Sequence, residues 1–290
     1  MARHNIVFGN DQPIRQGVAR PSPDFTSDFP SSDQRTSSEH SPENLEAIYA
    51  RPSATGRDTG RMTIRDVLNA TTATLGLTIV AGIVFALLPI ALGFVGGDEG
   101  YTLGRGISMV AMGVGFLGGF VLALVNSFKK KPSPVLVLAY ALLEGAALGG
   151  LSGMLNEQLP GIALQAVVGT LAVATTVLFL FRIGVLRTSP LLTKIFAVAM
   201  VAYLLFCLVN VGVVFLTGGD LRSGALGLVI GALAVIMASY SLVMDFEDVQ
   251  RGVNAGAPRA YAWRCAFGIT VTLVWMYIEI LRILSILRNN

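Results

Sequence analysis

Three carboxylates stand inside long apolar runs of a 290-residue chain: Glu144, Asp245 and Glu279. A charge within hydrocarbon is costly, so acids that persist there mark an ion path, a proton relay or an internal ion pair. A carboxyl group in a partly dry interior keeps its proton to higher pH, and a second carboxylate nearby raises one of the two further. Clustered carboxylates also offer hard oxygen ligands to a cation such as Ca²⁺, with protonation deciding whether the cation binds or a helix moves. The chemistry on offer is that of a pH-gated or proton-coupled cation pathway.

The surroundings of each acid refine this. Glu144 lies ten residues into its run, about 15 Å deep at the helical rise, and is followed by Gly145 and Gly149, on which another helix can close. It is expected to face the interior. Asp245 ends a run in Tyr240-Ser241-Leu-Val-Met-Asp245, with Ser241 one turn back on the same face, while Glu247 and Asp248 read as ordinary interfacial acids. Glu279 is followed three residues later by Arg282, which is placed to neutralise it as an internal ion pair.

Other motifs carry less. Gly113-Val-Gly115-Phe-Leu-Gly118 has dinucleotide-fingerprint spacing but lies inside an apolar run rather than after a strand, so it reads as helix packing. Gly150-Leu-Ser152-Gly153 matches a short intramembrane serine-protease signature, yet the only histidines, His4 and His40, are far from it in sequence and no base is supplied. Without membrane histidines or paired cysteines, no zinc or haem set of ordinary composition exists. Cys207 and Cys265 read as packing residues. The expectation is a protein that is not an enzyme and has no resident cofactor, with calcium as permeant ion.

The elements that must position these acids are long and apolar. Hydrophobic residues make up 53% of the chain and charged residues 13%, a balance no single soluble core of this length could bury. Seven runs, 74–95, 107–128, 135–155, 162–181, 191–217, 223–243 and about 266–287, are each long enough to cross a hydrocarbon layer of about 30 Å as a helix. The fold class is an all-α polytopic bundle of seven transmembrane helices in contact with the lipid bilayer. Short links at 96–106 and 129–134 make neighbouring helices antiparallel hairpins. Glycines four apart (Gly115 and Gly119; Gly145, Gly149 and Gly153; Gly227 and Gly231) let backbones approach closely, within one chain or between two.

Residues 1–61 are polar, rich in Ser, Pro, Asp and Arg, and read as a disordered cytoplasmic tail; 62–290 form the membrane domain. Thr63 as N-cap with Asp66 three residues on marks the first helix start. The basic surplus behind a pI near 9.0 reads as a topology signal and calls for no nucleic-acid partner. With the N-terminus in the cytoplasm, Arg51, Arg57, Arg61, Arg65, Lys129, Lys130, Lys131, Arg182, Arg187, Lys194, Arg251, Arg259 and Arg264 fall inside, and only Arg105, Arg222 and Arg288 outside. This places the protein in the cell inner membrane with its C-terminus outside.

Three patterns together resemble a known family. They are Glu144-Gly145 followed by Leu148-Gly149, Tyr240 to Asp245, and Tyr277-Ile278-Glu279 followed by Ile280-Leu281-Arg282-Ile283-Leu284. Over residues 63–288 the chain is similar to the seven-helix Bax inhibitor-1 or YccA-like proteins, the transmembrane Bax inhibitor motif family. The resemblance implies a last helix wrapped by the other six, and a carboxylate pair acting as pH sensor for a calcium leak. Asp245 matches the first member and Glu279 the second, making these two the candidate calcium ligands and Glu144 a pore or structural acid. The second position carries Glu where the family has Asp, and 246–268 is longer than expected. The pair forms if 258–264 lies at the interface or the last helix is broken. The family's arginine in the third helix has no counterpart, since 151–158 contains no Arg. The alternative implied by some relatives is a non-transporting regulator that binds a membrane protein such as a quality-control protease.

Overall fold

A computed structural model describes residues 60–129 and 131–289. The expected polar tail, with His4 and His40, lies outside the described residues except for Gly60 and Arg61. Among the described residues the protein is all-helical, and six helices are long and apolar enough to cross a membrane. They are α1 (Ile64–Phe128), α2 (Pro134–Gln158), α3 (Ile162–Arg182), α4 (Pro190–Thr217), α5 (Gly224–Asn254) and α6 (Tyr261–Asn289). Large apolar side chains such as Phe120, Leu204, Leu208 and Ile236 point outward, as lipid-facing helices require. The protein is a multi-pass membrane protein.

α1 starts where its capping residues indicate. The Thr63 hydroxyl accepts from the Asp66 N–H, and the Asp66 carboxylate accepts from the Thr63 N–H at 3.1 Å, closing a capping box. Its 65 residues would extend about 100 Å if straight. Instead the chain reverses at Gly97, whose φ of 60° only glycine adopts readily. The expected link over 96–106 is therefore confined to this one non-helical residue, and helix resumes at once. Pro89, lacking an N–H, leaves the Phe85 carbonyl without its intrahelical donor. The Ser108 hydroxyl of the returning limb fills that vacancy at 2.7 Å.

α2 lies between the two limbs of α1. Its glycines meet the first limb in steps of four: a Cβ added to Gly145 would lie 2.5 Å from the Thr78 carbonyl oxygen, and one on Gly153 3.3 Å from Ala86. Gly150 meets Ser108 of the second limb in the same way, and Gly115 of that limb meets Leu143 and Ala147. The small-residue spacing thus serves contacts within one chain.

α6 packs against α1, α2, α3 and α5. It begins at Tyr261, five residues before the expected 266, and runs unbroken to Asn289. α5 continues to Asn254, so Asp245 stands nine residues before the helix end instead of closing it. α4 is the least embedded helix, with Asn210 its one buried residue. Polar and aromatic contacts pin it: the Thr193 and Tyr240 hydroxyls are 2.9 Å apart, and Phe196 stacks on Tyr240 at 5.5 Å. One end of the bundle gathers Gly97, Pro160 and Asp220, tied by Arg288 to the Pro160 carbonyl and by Tyr101 to Glu157. The other gathers Thr63, Thr188 and Pro258.

Candidate functional site: the carboxylates around α6

Glu279 is 1% exposed, and its partner is one the sequence did not suggest. Arg222, in the turn before α5 and 7% exposed, donates from Nη2 to both carboxylate oxygens at 2.7 and 2.6 Å. The Tyr203 hydroxyl of α4 donates to Oε1 and accepts from Arg222 Nη2 at 3.1 Å and Trp275 Nε1 at 3.4 Å. The guanidinium also lies over the Tyr203 ring, 5.4 Å from its centre. The turn is fastened to α4 by the Asn210 side chain, which accepts from the Leu221 N–H at 2.8 Å. On the α5 side, Gly231 leaves room for the carboxylate, with an added Cβ 4.0 Å from Oε2.

Arg282 is therefore not the ion-pair partner of Glu279. Its Nη1 stands 3.7 Å from Asp220 at a half-open edge, and a cavity of about 450 Å³ runs past Arg222, Arg282 and Ser285. The reason is directional: Glu279 points toward α4 and α5, and Arg282 points to the turn at Asp220. By sequence Arg222 reads as an outer-loop charge. The available signal was its position, since an unbroken last helix carries Glu279 toward the end where Arg222 enters α5.

Asp245 has different company. Its Oδ2 accepts from the Thr272 hydroxyl at 2.7 Å, and Thr272 lies 3.2 Å from the Ser241 hydroxyl. Oδ1 faces the backbone of α6 at Gly268, where an added Cβ would come within 2.8 Å. Among the described residues no cation pairs with it. Thr272 and Glu279 are seven residues apart on a continuous helix, about 10 Å along its axis. The structure thus does not bring Asp245 and Glu279 together, for the physical reason that α6 starts at Tyr261 and does not break. Nor do they form a calcium-ligand set: among the described residues no group of three or more His, Cys, Asp or Glu side chains could hold a metal.

Glu144 is 7% exposed and faces the second limb of α1, where an added Cβ at Gly119 would lie 2.7 Å from Oε2. Among the described residues it makes no hydrogen bond or ion pair. Polar pins connect the rest of α6 to its neighbours: the Thr270 and Thr74 hydroxyls are 2.9 Å apart, and those of Tyr277 and Ser152 2.7 Å. Ser152 thus faces a phenol. Glu247 accepts from the Thr188 N–H at 2.8 Å and Asp248 pairs with Arg251 at 2.8 Å. Cys207 and Cys265 are free thiols.

The three acids divide by chemistry. Glu279 is compensated by a fixed guanidinium, an arrangement that holds elements together and is costly to open. Among the described residues Asp245 and Glu144 have no cation beside them.

Comparison of the sequence with curated proteins and with solved structures gives no match. The sequence matches the family model described as Bax inhibitor 1 like over residues 22–289, which reaches beyond the membrane domain into the polar N-terminal stretch. That match spans most of the chain and establishes that this multi-pass helical protein belongs to the Bax inhibitor 1 like family.

Proposed function

We propose that the chain crosses the membrane seven times, each limb of α1 counting once, with its N-terminus in the cytoplasm, and forms a pH-sensitive leak for a small cation such as calcium. In this reading the Asp245 carboxylate attracts the cation and its protonation removes that attraction, while Glu144 lines or shapes the interior. Glu279, held by Arg222, fastens α6 to the turn before α5. The protein performs no enzymatic chemistry and carries no resident cofactor, and it resides in the plasma membrane.

The observation that supports the reading most is Asp245: a carboxylate between two helices with one hydroxyl donor and, among the described residues, no cation. Membrane acids of this kind mark ion or proton paths. The distribution of Lys and Arg along the chain supports the orientation.

The test is calcium flux into proteoliposomes over a range of pH. Wild-type flux is expected to change with pH, and Asp245→Asn to lower it and flatten the dependence. Flux that is unchanged in Asp245→Asn overturns the mechanism. Silence at every pH leaves the rival reading of a regulator that binds a membrane protein, for which α4, with Asn210 its one buried residue, offers the least packed helix.

A further inference from the structure

The cavity of about 450 Å³ beside Arg282 lies where the end of α2, the turn before α5 and the last turns of α6 meet. Its size falls in the range of small-molecule sites, roughly 300–1,000 Å³. Along α6 its wall runs from Ile278 to Asn289, about 16 Å at the helical rise. The two ends of this slot differ. Leu151, Ile278 and Leu281 line the deep end, whereas Arg282, Ser285 and Ser223 line the end nearer the α6 terminus.

The polar end holds donors without acceptors. Arg282 carries five N–H groups, and among the described residues none of them makes a hydrogen bond. Its Nη1 is 3.7 Å from Asp220, too far for one, and its Nε is buried and unpaired. Arg222, 7% exposed, grips Glu279 through Nη2 and likewise keeps a buried Nε without an acceptor. α5 starts in the same wall. Ser223 occupies its N-cap position but donates its hydroxyl to the Asp220 carbonyl at 2.7 Å and leaves the helix uncapped, so the partial positive charge of that terminus adds to the guanidinium. An oxyanion matches the fork of a guanidinium and the end of a helix together. Two acids stand nearby. Glu279 is already offset by Arg222, while Asp220, whose Oδ1 accepts from the Arg222 N–H at 2.9 Å, is the carboxylate that competes for Arg282.

We propose that this slot binds an amphiphile with a phosphate head, the phosphate held by Arg282 and the start of α5 and the chain lying along Leu151, Ile278 and Leu281. Two sources offer such a head, a lipid of the bilayer and free phosphate, and the apolar deep end favours the lipid. Asp220 weakens the site by competing for Arg282. The proposal does not rest on the leak reading.

The full chain in dodecyl maltoside is titrated with dodecyl phosphate and, separately, with inorganic phosphate, and bound adducts are followed by native mass spectrometry. The maltoside supplies the same chain without the anion. Wild type is expected to take up one dodecyl phosphate and to bind inorganic phosphate more weakly. Arg282→Ala should weaken dodecyl phosphate about tenfold, as loss of a charge-assisted contact does. Asp220→Asn, which keeps an acceptor for the Arg222 N–H, should tighten it about threefold, the scale of a half-exposed charge. Dodecyl phosphate that does not bind, or binds wild type and Arg282→Ala alike, overturns the site. Should Arg282→Ala fail to fold, unchanged affinity in Asp220→Asn overturns it instead. Inorganic phosphate bound as tightly as dodecyl phosphate overturns the lipid and upholds the phosphate head.

Discussion

On the two sides of its midpoint α6 meets its neighbours by opposite chemistry. At one, Glu279 is clasped by a guanidinium, a phenol and, through that phenol, an indole drawn from the turn before α5, from α4 and from α6 itself. At the other, Asp245 accepts from one threonine and stands against a glycine of α6. A buried charge fixed by another buried charge belongs to the architecture. A carboxylate that meets a hydroxyl and a glycine, with no cation beside it among the described residues, is left to a proton or a cation.

The comparison breaks most visibly at the clasped end. Arg222→Ala leaves Glu279 buried without its cation and is expected to cost about 3–5 kcal/mol, read as loss of resistance to denaturant in detergent. The double change Arg222→Met with Glu279→Leu should recover much of that loss, because it removes both charges together. If the single variant unfolds like wild type, Glu279 is not held as described. At the other end, Asp245→Asn keeps an acceptor for Thr272 and should change stability by about 1 kcal/mol or less in the same measurement, although flux should respond. The smallest effect belongs to Arg282→Ala, roughly 0.5 kcal/mol or below, as its contact with Asp220 is long and half exposed. An Arg282 variant as damaging as the Arg222 variant reverses the assignment of partners.

Much of the scaffold was legible in the sequence because it follows from composition and local chemistry. The apolar runs, the Thr63 cap and the glycines at four-residue spacing each dictate their structure within a few residues. Less legible were features decided by distant contacts. Residues 98–106 read as a link, being rich in Gly and polar side chains, yet they stay helical as Tyr101 and Arg105 reach Glu157 of α2. Arg264 made the start of α6 look interfacial, and only the packing of Tyr261 against Gly252 places helix there. At the site, Glu144 is buried against the second limb of α1, in keeping with the glycines that follow it. The partner of Glu279 was missed because proximity along one helix favoured Arg282, whereas the side chain of Glu279 faces α4 and α5.

The order of the chain gives α6 a special burden during synthesis. Thr74, Ser152, Arg222 and Asp245 all emerge before the residues that complete them, which are Thr270, Tyr277, Glu279 and Thr272. The limbs of α1 can close on α2 early, since their contacts are small and apolar. Arg222 cannot be neutralised by Glu279 until α6 enters. A nascent chain halted before α6 therefore holds an unpaired guanidinium, the Ser152 hydroxyl without its phenol and the Asp245 carboxylate without its threonine. Such an intermediate is distinguishable from the finished bundle by polarity alone, which gives a cell's surveillance of its membrane a chemical mark to act on.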